Sequence, residues 1–409
     1  MIKKHSFYIQ DSNLDELEKQ KIRQDLICEF TKKPASDFAD LFTVALPVEL
    51  AGSKNCENLC GSIEVPVGVA GPVTATVNAI KKSFLIPLAT TEGALVASIH
   101  RGLKVLNTSE TTVVVKKVGM SRSVVFECAS ITDALAFSEY FAQNSSIFAG
   151  FCEETSKHLQ FLSFDCFMRD KLLYYRFVFD TDEAMGMNMV TIALSYAWDQ
   201  FKQQLPKDIV VTLLTVSGNV CTDKKDSMIN RLFGRGYFVT VESKIALSDV
   251  ARILKVSAKE LVKIHLVKNV IGSNIAGSFA QNMHVANALA AFYLATGQDI
   301  AHVVAGSEAS VHFEIVSEKA VSGAVKGEEI EKLYVALTLP NVSVGSVGGG
   351  TWLPKQKQAR SILLENQQPK ALDLAAGVGL AALAGEISGL AALTTHTLAA
   401  AHQKLGRTQ

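Results

Sequence analysis

An excess of charge of either sign is missing from this chain: 409 residues carry 40 basic and 40 acidic side chains, for a formal net charge of zero. No global field draws such a chain to nucleic acid or to an anionic membrane, so neither is expected as a partner. An acidic ligand has to be held by a local cluster of cations. A disulfide framework is missing as well. The seven cysteines, Cys28, Cys56, Cys60, Cys128, Cys152, Cys166 and Cys221, are odd in number and scattered, which suits reduced thiols and predicts a cytoplasmic protein. Cys56 and Cys60 are close, but no second pair matches them and the histidines lie far off, so no metal is expected. The start, Met1-Ile-Lys-Lys-His-Ser-Phe-Tyr8, lacks the uninterrupted apolar core of a secretory leader. The most apolar stretch, Leu374 to Leu383, is about half the length that spans a bilayer, and Glu386 follows it, which predicts a buried helix.

A Gly-x-Gly-x-x-Gly element after a clear strand is also absent. Gly377-Val378-Gly379-Leu380-Ala381-Ala382 matches a looser form, but its flanks read as helix, so its small residues are assigned to helix packing.

The length suffices for about two or three domains around a sizeable core. Residues 10 to 50 mix charged and apolar positions in helical fashion, and Asn58 to Ala79 is punctuated by Gly61, Pro66, Gly68, Gly71 and Pro72, which predicts turns and short extended pieces. Thr90-Thr91-Glu92-Gly93 opens a predicted helix through Ile99, with Glu92 in its first turn and the threonines as caps. Strand-like runs at 112–128, Leu172–Phe179 and Ile209–Val216 alternate with helical segments at Ile131–Ala142 and Asn188–Trp198, which suggests an α+β unit of about a hundred residues. Farther on, Ser257–Val267, Ser278–Thr296 and Glu328–Leu337 have helical spacing, while Ser310–Ile315 is a short strand candidate.

Several polar constellations stand out. The loop Val344-Gly345-Ser346-Val347-Gly348-Gly349-Gly350 either brings backbone N–H groups to a phosphate or amide, or is a tight turn. Asp223-Lys224-Lys225 sets two ammonium groups beside a carboxylate; it is either a solvated cluster or a site that binds an acidic substrate and stabilises an oxyanion. Lys268-Asn269 and Asn282 form another polar set, and Asp299 follows a helical run where an acid gains nothing from the helix dipole. Glu92 is either a partly buried proton donor or a partner of a helix start. His402 stands near the C-terminus, where a histidine is more often a surface group than an acid catalyst.

These signals fall in an order that resembles the 3-hydroxy-3-methylglutaryl-coenzyme A reductase family, over residues 50 to 409. The resemblance is carried by Glu57 to Gly61, Val65 to Pro72, Pro87 to Ser98, Ala184 to Met189, Ser217 to Lys225, Lys268-Asn269, Thr296 to Asp299 and Gly345 to Thr351. Val65 to Pro72 looks like the eukaryotic and archaeal class. The fold this implies is α+β: a large, mainly helical substrate-binding domain with an inserted ferredoxin-like nicotinamide-binding domain. Its parts would be an N-terminal helical region at 1–50, the large domain at 51–120 and 216–390, the insert at 121–215, and a catalytic flap at 391–409. Glu57 to Gly61 matches a dimerisation element, so a homodimer assembling into a homotetramer, with active sites between subunits, is implied.

The implied reaction is the four-electron reduction of 3-hydroxy-3-methylglutaryl-coenzyme A to mevalonate and coenzyme A with two NADPH. By resemblance, Lys224 stabilises the oxyanion, Glu92 donates a proton with its acidity tuned by Lys224 and Asp299 in one coupled network, and His402 protonates the departing thiolate. Arg122, Ser217, Asp223, Lys225, Lys268 and Asn282 match groups that hold the acyl portion; Ser98 and Arg101 match coenzyme A contacts, while His100 stands where many relatives have asparagine. Met185, Gly186, Met187, Asn188 and Gly345, Ser346, Val347 and Gly348 match cofactor contacts. Ser156-Lys157 resembles the pair that receives the ribose phosphate; lysine keeps the charge and loses the guanidinium fork, so NADPH is favoured and NADH remains open. Glu183 departs from the family's aspartate, which predicts slower turnover or altered cofactor preference. The alternatives are the same site oxidising mevalonate with NAD, or a noncatalytic acyl-coenzyme A or nucleotide-binding relative.

Overall fold

The computed structural model describes residues 7, 9, 13–319 and 329–395. The chain enters through α1 (Glu16–Thr31), opened by a capping box between Asp15 and Glu18, and the shorter α2 (Val48–Lys54). The next stretch corrects the sequence reading. Instead of turns and short pieces it forms β1 (Val67–Val77), a full strand antiparallel to β2 (Ile80–Ala89). Pro72 is tolerated because it falls at a register irregularity between Ala70 and Val73, where no ladder N–H is required.

Helix α3 (Leu95–Leu106) follows, burying Leu95, Ile99, Leu103 and Leu106 on one stripe. It begins after Glu92 rather than around it, from Ala94 at φ 71°, with no side-chain cap. Thr90 Oγ1 accepts from the Glu92 N–H and so shapes the preceding turn.

β3 (Thr111–Cys128) is the spine of the molecule. After it come α4 (Ile131–Glu154), β4 (Gln160–Arg169), β5 (Leu172–Asp180), α5 (Met187–Phe201) and β6 (Val211–Thr215). The chain then runs through α6 (Met228–Phe233), β7 (Gly236–Ala246), α7 (Ala258–His265), α8 (Val285–Thr296), β8 (Ser310–Lys319), β9 (Glu329–Val342), α9 (Pro354–Ser361) and α10 (Ala371–Thr394).

β3 changes neighbours midway. Thr111 to Gly119 pairs antiparallel with β7, and Thr112-Val113 runs parallel to β1; Met120 to Glu127 pairs antiparallel with β5, and Val125 to Cys128 with β6. Its first half belongs to the strand path β2-β1-β3-β7-β9-β8. Its second half lies in the order β6-β3-β5-β4, all antiparallel.

Each half has its own core. One joins the long sheet to α3, α8 and α10. The other, between the short sheet and α4 and α5, is aromatic: Phe126, Phe137, Phe141, Tyr175, Phe177 and Phe201 are buried, with Phe141 and Tyr175 ring centroids 4.6 Å apart.

One helical expectation changes. Glu328–Leu337 reads as helix, but β9 is a strand flanked by β7 and β8. Its alternate residues Leu333, Val335, Leu337 and Leu339 are fully buried, and pairing on both sides outweighs the local propensity. The large part thus packs its helices against a sheet, an α+β architecture. The predicted buried helix is α10, longer than its most apolar stretch suggests. It has the length and composition to cross a bilayer, yet its apolar window is wholly inside the fold.

Candidate functional site

A cavity of about 880 Å³ opens where the two halves meet. β3 brings Arg122 to it just past the change of partners, and the β5–α5 connection brings Ala184 to Asn188. The loop after β6 supplies Asp223 and Lys224; the end of α8 leads into Gly297-Gln298-Asp299; the loop after β9 supplies Gly345 and Val347 to Thr351. Segments far apart in sequence thus line one cavity.

The charged side chains form a continuous chain. Lys224 Nζ lies 2.8 Å from Asp299 Oδ2, and His302 Nε2 stands 3.7 Å from Asp299 and 3.9 Å from Asp223. Asp223 also meets Arg235 at 3.0 Å and Arg122 at 3.7 Å. Burial opposes charge on Asp299, but the Lys224 hydrogen bond and the neighbouring His302 hold its carboxyl below the ordinary value. Burial, reinforced by Arg235, pushes the His302 imidazole down to about 4, so it is neutral at neutral pH. Burial also depresses the pKa of the fully enclosed Arg235, with Asp223 as the main opposing charge.

The loop that presents Lys224 is not relaxed. Lys224 has φ 57° and the β-branched Thr222 has φ 45°, left-handed conformations that cost on the order of 1 kcal/mol each. Asn230, buried on α6, offsets this by donating to the carbonyls of Cys221 at 3.2 Å and Thr222 at 3.0 Å. The ammonium is held in place from behind.

The opposite wall is built from backbone. Gly186, at φ 90°, starts α5 without a side-chain cap, so the first N–H groups of that helix have no intrahelical acceptor, and Gly186, Met187 and Asn188 line the cavity. Gly345 permits close approach, since a Cβ there would stand 2.5 Å from the Met185 nitrogen. Gln298 clamps the same glycine: its amide donates to the Gly345 carbonyl at 3.1 Å and accepts from the Gly345 N–H at 2.9 Å. Glu183 braces the loop from outside the cavity. Its carboxylate accepts from the Ser346 hydroxyl and, at 2.8 Å, from the Ala371 N–H that starts α10.

Other predicted residues stand apart from the cavity. Glu92 is exposed rather than partly buried, with its carboxylate 3.3 Å from Asn287 Nδ2; the apolar residues that follow it turn inward on α3 and leave it outside. The coupled network with Lys224 and Asp299 is therefore not formed by Glu92 of the same chain. Ser98 and Arg101 bond to Ser388 of α10, at 3.0 and 2.9 Å. Lys268 is exposed in a π-helical turn at Leu266–Gly272, and Asn282 donates to the carbonyls of Ser307 and Ala309. Ser217 is exposed, and Lys225 Nζ lies 3.2 Å from its neighbour's carbonyl at Asp223. Ser156 and Lys157 sit in the turn after α4, where the Ser156 hydroxyl accepts from the His158 N–H. His402 and most of the proposed flap lie outside the described residues. Among the described residues no His, Cys, Asp and Glu group is arranged to hold a metal.

Sequence reasoning missed Arg235, His302, Asn230 and Gln298. Gln298 was within reach, since it lies beside Asp299 in a motif already noted. The others are buried single residues whose neighbourhoods give no local signal of the contacts they make on folding.

A family model described as hydroxymethylglutaryl-coenzyme A reductase matches residues 19–407. The 3-hydroxy-3-methylglutaryl-coenzyme A reductase of Methanocaldococcus jannaschii is 38% identical over 403 residues, covering 98% of this chain and 96% of its own. Reductase 2 of Dictyostelium discoideum is 37% identical over 362 residues, 86% of this chain and 65% of that protein. Among solved structures, the class II reductase of Streptococcus pneumoniae, bound to NADPH in open conformations, superposes with a TM-score of 0.62 at 19% identity, over 91% of this chain and 96% of that one.

Proposed function

The chain belongs to the hydroxymethylglutaryl-coenzyme A reductase family, and from that premise we infer that it reduces 3-hydroxy-3-methylglutaryl-coenzyme A to mevalonate and coenzyme A with two NADPH. The observation that carries this reading is the Lys224–Asp299 ion pair on one wall of a cavity whose other wall is a glycine loop and an uncapped helix start. The second wall fits a nicotinamide dinucleotide: unsatisfied N–H groups suit a pyrophosphate, and Arg122, Lys224 and Lys54 supply positive charge around it. When bound, the cofactor supplies hydride to the substrate carbon.

In this reading Lys224 opposes the negative charge that develops on the thioester and then the aldehyde oxygen, at a site where its ammonium is already oriented. Asp299 fixes that ammonium, and Asp223 with Arg235 and neutral His302 behind it fixes the rest of the loop. Glu92 gives its proton to the aldehyde oxygen, and His402 protonates the coenzyme A thiolate so that it does not attack the aldehyde again. Ser98, Arg101, Ser217, Lys225, Lys268 and Asn282 hold the acyl-coenzyme A; Ser156 and Lys157 receive the ribose phosphate.

We propose a homodimer, built up to a tetramer, with the site completed across subunits. Glu92, Ser98, Arg101 and Lys268 do not line the cavity of their own chain, and the surface around Lys268 exposes Leu266, Val267, Ile271 and Ile275. The insert at 121–215 is proposed as ferredoxin-like, supported by its element order strand, α4, β4, β5, α5, β6 and by the strand order β6-β3-β5-β4.

The test is nicotinamide absorbance with purified protein, while free thiol and mevalonate are quantified. Two NADPH consumed for each thiol and each mevalonate is the expected result. A folded oligomer that binds both ligands and turns over neither would favour a binding protein instead.

A further inference from the structure

Helix α10 buries two acidic side chains, Asp373 near its start, paired with Lys82, and Glu386 farther along. Glu386 has no exposed surface, and three donors converge on its two oxygens. Oε2 accepts from Met283 N–H at 2.7 Å and from Asn269 Nδ2 at 3.3 Å; Oε1 accepts from His284 N–H at 2.8 Å. Burial raises the pKa of this carboxyl, and the N–H bonds from His284, Met283 and Asn269 oppose that rise; its two oxygens can accept from all three donors, whereas an amide offers one oxygen and opposes the rest with its own N–H groups. The His284 ring adds a second tie to the same helix, with Nε2 3.0 Å from the Gly385 carbonyl.

The donors are informative by their position. Asn269 directly follows Lys268, while Met283 and His284 directly follow Asn282, so one buried carboxylate fastens both segments proposed to hold the acyl group. Two residues along the helix, Ser388 receives the Arg101 guanidinium through its hydroxyl at 2.9 Å and its carbonyl at 2.6 Å, and its hydroxyl lies 3.0 Å from that of Ser98. None of these groups lines the cavity at Lys224. A carboxylate in so apolar a setting costs more than an apolar residue of similar volume would, yet three N–H groups from two irregular segments require it.

We propose that Glu386 is a positioning residue for acyl-coenzyme A: it sets the distance between the Lys268 and Asn282 segments and registers both against the helix that holds Ser98 and Arg101. This rests on the assignment of Lys268 and Asn282 to substrate. The effect is expected on the acyl-coenzyme A side, because the cofactor wall is fastened by Gln298 and by Glu183 at the first N–H of α10, about four helical turns from Glu386.

The experiment is steady-state kinetics of the full chain carrying Glu386→Gln, with Lys268→Ala and Asn269→Ala in parallel, each substrate varied separately. Losing buried hydrogen bonds of this kind predicts a KM for 3-hydroxy-3-methylglutaryl-coenzyme A raised about tenfold or more in Glu386→Gln. The KM for NADPH is expected to stay within about twofold, a split that general loosening of the fold would not produce. Asn269→Ala, which removes one donor and leaves the buried carboxylate, is expected to raise the same KM about threefold; it decides the matter if Glu386→Gln does not fold. A large effect of Lys268→Ala beside wild-type KM values in both other variants overturns the proposal and leaves the substrate assignment standing. No effect of Lys268→Ala removes the assignment and the proposal with it. Equal rises in both KM values overturn it in favour of a purely structural role.

Discussion

Lys224 and Asp299 form an ion pair at 2.8 Å although 75 residues separate them, and the lysine reaches it from a left-handed backbone conformation. Both side chains remain partly exposed, so the pair contributes little to stability. Its value is orientation. Asp299→Asn keeps the shape and removes the countercharge, and kcat is expected to fall by about a hundredfold or more with the melting temperature nearly unchanged. Single-turnover rates beside thermal unfolding check this; a fall in both would point to a structural role instead.

Gln298 makes two reciprocal hydrogen bonds to Gly345, and both are buried. Gln298→Ala is expected to leave two backbone groups unpaired, costing about 1–3 kcal/mol, and to raise the KM for NADPH more than that for the acyl-coenzyme A. Isothermal titration with each ligand separates the two.

Glu183 uses the methylene that distinguishes it from aspartate to join the Ser346 hydroxyl to the first N–H of α10. Glu183→Asp is expected to lose at least one of these contacts and to weaken NADPH binding by about 1 kcal/mol. Unchanged rates and KM values with NADPH and NADH would show that the brace is dispensable.

Two buried groups give opposite pH dependences. His302 has its folded pKa depressed to about 4, so its neutral form stabilises the fold above the ordinary histidine range, and that contribution is lost as pH falls from about 6.5 toward 4. Burial raises the Glu308 carboxyl to about 7, with the Ser227 N–H bond opposing; the fold favours its protonated form, and stability is lost as pH rises from the ordinary glutamate range through about 7. Urea unfolding across pH 4–8 is expected to lose the first slope in His302→Gln and the second in Glu308→Gln. Parallel profiles for all three proteins would sink both assignments.

Much of this was legible in the chain itself. Residues 112–128, Ile131–Ala142 and Leu172–Phe179 announced their elements because β-branched and aromatic runs or helical spacing agreed with their final surroundings. Glu331, Lys332 and Tyr334 in β9 obscured a strand, since charged residues at its outer end imitate a helix face and the pairing that settles the matter comes from β7 and β8. The site was legible where chemistry is concentrated in short motifs, as at Asp223-Lys224-Lys225 and Gly345 to Gly350. It was not legible at Arg235 and His302. Each is one ordinary residue in apolar sequence, and only folding shows that Asp223 lies between them.

The change of partners within β3 also bears on how the molecule can be divided. A cut near residue 120 falls inside a strand rather than in a linker. It would leave β7 beside a severed edge and strip β5 and β6 of the neighbour they share. The halves therefore resist exchange as interchangeable modules: grafting a different unit into this scaffold has to preserve the twist and register of one continuous strand, and that strand transmits any misfit directly to Arg122.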